Sequence, residues 1–185
     1  MAKDKTPKRR DTVLAHAGRN PKANHGIVNP PVYHASTVIF PTVKAMEESQ
    51  ASPIGRIHYG RYGTPTTMAL EEAVAALEGG DKAISVPSGL SAIACTLQAL
   101  LKAGDHALIT DSAYFPTRKL CNGLLAGWGV ETTYYDPMIG GGIAELIRPN
   151  TKVVFVESPG SITFEVQDVP AIAAAQREAL FFDRR

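Results

Sequence analysis

The spacing of apolar residues divides the chain into a patterned part and an unpatterned one. From residue 66 onwards, Leu70, Ala73, Val74 and Leu77 recur at the i, i+3, i+4, i+7 spacing of one helix face. Thr66 or Thr67 can cap that helix just after Pro65, and Gly79 and Gly80 end it. The pattern then predicts a short strand over 82–86, a helix over 88–101 ended by Gly104, and a strand over 106–110. A helix over 116–126 follows, stopped by Gly127 and Gly129, then a strand over 130–135, a short helix over 142–147 and a buried strand over 153–156. A last helix starts at Pro170 and runs to 178. Short strands alternating with helices mean βαβ crossovers, so the expected class is α/β, three-layer, with a mainly parallel sheet and flanking helices.

Residues 11–65 carry no such period. Pro21, Pro30, Pro31, Pro41, Pro53 and Pro65 punctuate them, with Gly18, Gly26, Gly55, Gly60 and Gly63 between. Yet Val28, Val32, Tyr33, Val38, Ile39, Phe40, Ile54, Ile57 and Tyr59 are too apolar for a solvated linker and need a surface to cover them. The expected division is therefore an N-terminal arm over 1–65, packing on another subunit, and an α/β part over 66–185.

Composition narrows the class. The 185 residues are 44% hydrophobic and 20% charged, as in a globular protein with a sizeable core. No apolar run approaches the roughly 18 residues needed to cross a bilayer. Cys95 and Cys121 make no disulfide scaffold; both fall in helix-like segments and read as buried, reduced thiols, which makes the cytoplasm the expected compartment. The net charge of +1 conceals a basic tip: Lys3, Lys5, Lys8, Arg9 and Arg10 against Asp4 give it +4, leaving −3 for the rest. Five cations without aromatics read as a solvated terminus, not a nucleic-acid surface, and no apolar stretch follows to make a secretory signal. His16, His25, His34, His58 and His106 have no metal-type spacing, so no metal site is expected and the histidines read as surface or capping residues.

In open parallel sheets ligands bind beyond the carboxyl ends of the strands. That selects 87–90, 111–114, 136–137 and 157–161. Ser88 and Gly89 open a helix directly after a strand, where unpaired backbone N–H groups and the helix dipole make an anion site; the same residues also serve as a plain N-cap with tight packing. They form neither a dinucleotide fingerprint nor a P-loop. Tyr114 follows a strand end and precedes Pro116, placed either to stack on a planar ligand or to cover the sheet edge. In the run 59–66, Arg61 offers a planar fork suited to phosphate and Tyr59 a hydroxyl nearby; the alternative is a glycine-rich turn with a solvated arginine.

These segments together resemble the cystathionine-synthase and -lyase (Cys/Met-metabolism, trans-sulfuration) family of pyridoxal-phosphate enzymes, fold type I. The carrying stretches are Tyr59-Gly60-Arg61-Tyr62-Gly63-Thr64, Pro87-Ser88-Gly89-Leu90-Ser91-Ala92, Gly104-Asp105-His106, Ala113-Tyr114 and 157–166, and the likeness runs from about Asp11 to about Ala175. Much of the family has Glu-Ser-Pro-x-Asn-Pro in the last stretch, whereas Gly160-Ser161-Ile162-Thr163 is similar to its β-lyase branch. The resemblance implies pyridoxal 5'-phosphate as cofactor, with Ser88, Gly89 and Leu90 at its phosphate and Tyr114 stacked on its ring as an acid/base participant. It implies that Tyr59 and Arg61 reach the phosphate of a neighbouring subunit, hence a homo-oligomer. The implied reaction cleaves the Cβ–S bond of L-cystathionine, or a related thioether amino acid, to homocysteine, pyruvate and ammonia. Cystathionine γ-synthase or methionine γ-lyase chemistry on the same scaffold, or a non-catalytic phosphate-binding fragment, are the alternatives. No lysine stands in the motif that the resemblance requires for the Schiff base, and Lys152 starts a strand at the opposite end from the site. Asp183 comes several residues early for the pyridine nitrogen, with Arg184 after it. The chain thus reads as truncated or frameshifted after about Arg177, with weak or absent lyase activity expected.

Overall fold

A computed structural model describes residues 9–51 and 56–182, and in it the chain falls into two compact units, Met1–Ser85 and Val86–Arg185. Asp183 lies outside the described residues.

The second unit is built on three parallel strands, β1 (His106–Thr110), β2 (Glu131–Tyr135) and β3 (Thr151–Phe155), in the order β2-β1-β3. Every residue of β1 is buried, as a central strand covered on both faces requires. Alternate side chains leave it in opposite directions. Ala107 and Ile109 join Leu97 and Leu101 of α4 (Gly89–Leu100, with Leu101 as its C-cap) and Cys121, Leu125, Val130 and Val153 in one apolar cluster. Leu108 joins Tyr135, Ile143 and Ile172 in another, under the short 3-10 helix Gly140–Leu146 and α6 (Val169–Phe182). Helices on both faces of a parallel sheet make the three layers that the pattern predicts. The β1–β3 register slips between His106 and Ala107, which pair with Thr151 and Val153, so that Lys152 bulges out.

Most predicted elements of this unit form. The strand over 106–110 has the predicted bounds, and Ser88 caps α4 by accepting the Ser91 N–H at 3.1 Å. The helix after Tyr114 is shorter in its α part than the pattern predicts: α5 (Phe115–Leu120) passes into a π-helical turn over Cys121–Leu125. Asp168 starts α6 by accepting the Ala171 N–H at 3.0 Å.

The first unit differs more from expectation. No strand forms over 82–86: the Ser85 N–H, which a ladder would use, donates instead to Glu71 Oε1 at 2.8 Å, as does the Ser85 hydroxyl. Two short helices, α1 (Arg10–His16) and α2 (Val43–Gln50), stand inside the segment read as irregular. They escape a periodicity search because α1 buries no residue and α2 only Ser49. Thr42 caps α2 through the Ala45 N–H at 3.1 Å. The long helix α3 (Pro65–Glu78) is capped at Thr64, ahead of the Thr66 or Thr67 cap expected, with Pro65 as the first helical residue and the Thr67 hydroxyl taking the Thr64 N–H at 2.8 Å. α3 packs with this unit, which runs to Ser85. The apolar residues of the segment remain largely uncovered: Val32 is 72% exposed and Ile39 92%.

Two further readings change. His106 is fully buried in the sheet, where Thr151 and Thr133 hydroxyls sit 2.7 and 2.9 Å from its ring nitrogens; burial holds its imidazole below the usual range, with Arg148 adding to the shift. A polar residue opening a strand can enter the core when cross-strand hydroxyls satisfy it, which spacing alone does not reveal. Cys121 is buried as expected, and burial raises its thiol, but Cys95 is exposed on α4. Among the described residues no helix is long and apolar enough to cross a membrane.

Candidate functional site

The carboxyl ends of the strands gather the predicted chemistry of the second unit. A tight turn over 102–105 reverses the chain between α4 and β1, closed by the Asp105 N–H on the Lys102 carbonyl and by the Lys102 N–H on Asp105 Oδ2. α4 therefore runs antiparallel to β1, and its N-terminus lies at the end where the strands finish. Ser88 spends its hydroxyl on the Ser91 N–H. The Gly89 and Leu90 N–H groups are left over, as the first amides of any helix are, and no partner reaches them among the described residues. All three residues are exposed.

Gly89 is informative by what surrounds it. A Cβ built there would meet nothing within 4 Å, and its φ is not in the left-handed region, so neither packing nor backbone geometry demands glycine. A bare Cα instead leaves room for an anion to approach the two free N–H groups along the positive end of the α4 dipole.

Tyr114 stands at the exit of β1, half exposed, as the residue that precedes α5. Its backbone N–H donates to the Glu157 carboxylate, 3.2 Å from each oxygen. Glu157 leaves β3, so this bond ties two strand exits together. The stretch after it folds back on itself: the Gly160 N–H reaches the Glu165 carbonyl at 2.9 Å and the Ser161 N–H reaches the Ser112 carbonyl at 2.8 Å. Asp111 pairs with Arg118, and Asp136 closes its own turn on the Met138 N–H at 2.8 Å. Neither is free for a ligand in the way that Gly89, Leu90 and the Tyr114 ring are.

Three residues of this end escaped the sequence reading. Thr110 and Tyr135 end their strands, Gln167 precedes α6, and all three are buried. Gln167 Nε2 lies 3.0 Å from Thr110 Oγ1, and Tyr135 Oη 3.2 Å from Gln167 Oε1. The available signal was polar residues closing apolar strands, which reads equally well as solvated loop edges.

Tyr59 and Arg61 belong to the first unit. They are not extended side by side; a 3-10 turn over Gly60–Tyr62 folds the guanidinium carbon to 5.5 Å from the Tyr59 ring centroid and 4.5 Å from that of Tyr62. Arg61 stays exposed, its fork bonded to the Tyr62 hydroxyl at 3.3 Å.

A family model described as "Cys/Met metabolism PLP-dependent enzyme" matches residues 11–182. The chain belongs to that family. A chain from Rhizobium johnstonii is 52% identical to this family member over 164 residues, 89% of this chain and 40% of its own. The cystathionine beta-lyase of Salmonella typhimurium is 45% identical over 173 residues, 93% of this chain and 44% of its own. Among solved structures, metB from Corynebacterium glutamicum superposes with a TM-score of 0.83 at 30% identity, covering 95% of this chain and 44% of that one. The chain thus spans less than half the length of these relatives. Both the family resemblance and the α/β class read from the sequence are borne out.

Pyridoxal phosphate is the family's cofactor, and the exit end of this Cys/Met-metabolism chain suits it. Its phosphate asks for backbone donors without a crowding side chain, which Gly89 and Leu90 offer; its pyridine ring asks for an exposed aromatic face, which Tyr114 offers.

Proposed function

We propose that this chain supplies the phosphate-binding and ring-covering part of a pyridoxal-phosphate enzyme that cleaves the carbon–sulfur bond of L-cystathionine. With one water, the products are homocysteine, pyruvate and ammonia. The observation that carries the reading is the pair of unpartnered N–H groups at Gly89 and Leu90, opened by a glycine that packing does not require, at the same sheet end as Tyr114. When bound, the cofactor withdraws electrons from the substrate Cα so that the β-carbon can release its thiolate. The Gly89 and Leu90 amides bind the phosphate and Ser88 holds the helix start that aims them. The Tyr114 ring lies against the pyridine face and excludes water from it, and the hydroxyl at Tyr114 Oη carries a proton to or from the substrate. Arg61 and Tyr59 bind the phosphate in a neighbouring copy, which accounts for the exposed apolar residues Val32 and Ile39 as surface awaiting a second subunit. We read the working unit as a homo-oligomer, and its compartment as the cytoplasm.

The test loads the chain with pyridoxal phosphate and follows its retention by absorbance after gel filtration. Inorganic phosphate is expected to compete, and Gly89→Val to weaken retention about tenfold without loss of folding, since Val is the better helix residue and meets open space. Retention indifferent to both would overturn the reading. Adding L-cystathionine assigns the chemistry by product, weak as the turnover is expected to be: pyruvate marks β-elimination, and 2-oxobutanoate would move the chain to the γ-cleaving enzymes.

A further inference from the structure

Buried polar side chains stand at the exit end of the sheet where an α/β core ordinarily carries apolar ones. Gln167, 5% exposed, belongs to no strand, yet it touches the exits of all three. Its Nε2 donates to Thr110 Oγ1 at 3.0 Å, at the end of β1, and to the Glu157 carbonyl at 2.8 Å, after β3. The Tyr135 hydroxyl, closing β2, lies 3.2 Å from Gln167 Oε1 and 2.9 Å from the Phe155 carbonyl. The Gln167 backbone N–H donates to the Ser158 hydroxyl at 3.0 Å. Turning the amide over would set Oε1 against the Glu157 carbonyl, acceptor to acceptor, so that carbonyl fixes its orientation. The network continues from Thr110, which accepts from Gln167 and shares a hydrogen bond with Ser112 Oγ at 3.0 Å.

Both arms of this network end at the Tyr114 loop. The Glu157 carboxylate takes the Tyr114 N–H, and Ser112, two residues before Tyr114, takes the Ser161 N–H on its carbonyl. We propose that Gln167 is a positioning residue that, through Glu157 and Thr110, fixes the loop presenting Tyr114 at the mouth of the cofactor site. The role of that mouth rests on the pyridoxal-phosphate reading; the positioning itself is a property of the chain alone. Gln167 is too buried to touch a ligand, and acts through its neighbours.

Amide hydrogen exchange measured by NMR tests this without cofactor. Gln167→Met keeps the length and apolar bulk and removes both donors. It is expected to speed exchange at the Tyr114 amide about tenfold, the worth of one hydrogen bond, and to leave Leu108 and Ile109 inside β1 within about twofold. Thr110→Val removes one of the two acceptors and leaves the Glu157 tie, so it serves if the first variant does not fold; Tyr114 exchange should then rise about threefold, a partial loss of the same bonding. Unchanged Tyr114 exchange in the folded variants, or an equal rise at Leu108 and Ile109, would overturn the proposal. Pyridoxal-phosphate retention on the same samples keeps the two readings apart. A wild-type chain that retains none defeats the cofactor reading while the exchange rates still decide the role of Gln167.

Discussion

Adding one methyl group at Gly160 tests how tightly the strand exits are joined. A Cβ there would stand 2.6 Å from both Cβ and Oγ of Ser112, against an ordinary contact of about 3.4–4 Å. Rotating Ser112 about χ1 moves Oγ but not Cβ, so the two backbones must part by close to 1 Å. They are held together by the Ser161 N–H on the Ser112 carbonyl at 2.8 Å, and the Gly160 φ is not left-handed, so the clash is one of space and not of backbone strain. Overpacking costs about 1–3 kcal/mol and a stretched hydrogen bond about 1 kcal/mol more, which sets the expected loss for Gly160→Ala at roughly 2–4 kcal/mol. At a urea slope of about 2 kcal/mol/M the midpoint should fall by about 1–2 M with the slope unchanged. Ser112→Gly removes the Cβ that is struck, and combined with Gly160→Ala should recover most of that fall. An unmoved midpoint, or a double variant no better than Gly160→Ala alone, refutes the reasoning.

Other outcomes follow from buried polar groups. The Thr117 hydroxyl is fully buried with no hydrogen-bond partner among the described residues, so Thr117→Val, equal in shape, should raise stability by about 1 kcal/mol in the same urea assay. His106 titrates in the folded chain below its ordinary value, so the unfolded chain binds the proton first. Its contribution is complete above the unfolded pKa of about 6.5 and is lost as pH falls from there through the lower folded value. Urea midpoints measured at successive pH values should therefore drop on acidification in the wild type more than in His106→Gln.

The α/β class and the bounds of β1 were legible because apolar period and glycine punctuation are local signals that the sheet then obeys. The places of Ser88 and Gly89 at a helix start and of Tyr114 at a strand exit were legible for a related reason, since both follow from the local alternation of strand and helix. The segment over 82–86 failed because a strand is defined by its neighbour, and Glu71 supplies the acceptor there instead. His106 failed because its burial depends on Thr133 and Thr151, 27 and 45 residues away in the sequence. Gln167 failed for the same reason at longer range: Thr110, 57 residues earlier, is what makes it a core residue.

That range also bears on what the network is for. Burial pushes the Tyr135 phenol up to about 12, so it remains a neutral donor, and the Gln167 amide has both protons and its oxygen engaged. A satisfied network costs little, but well-packed apolar side chains of equal volume would stabilise the sheet at least as well. What apolar residues would not supply is direction. Leu at 167 could fill the space beneath the loop without specifying where the Glu157 carbonyl sits, and the Glu157 carboxylate sets the Tyr114 amide. The proposed cofactor site would ask for placement of the Tyr114 ring to fractions of an ångström, which oriented bonds across three strand exits can impose and non-directional packing cannot.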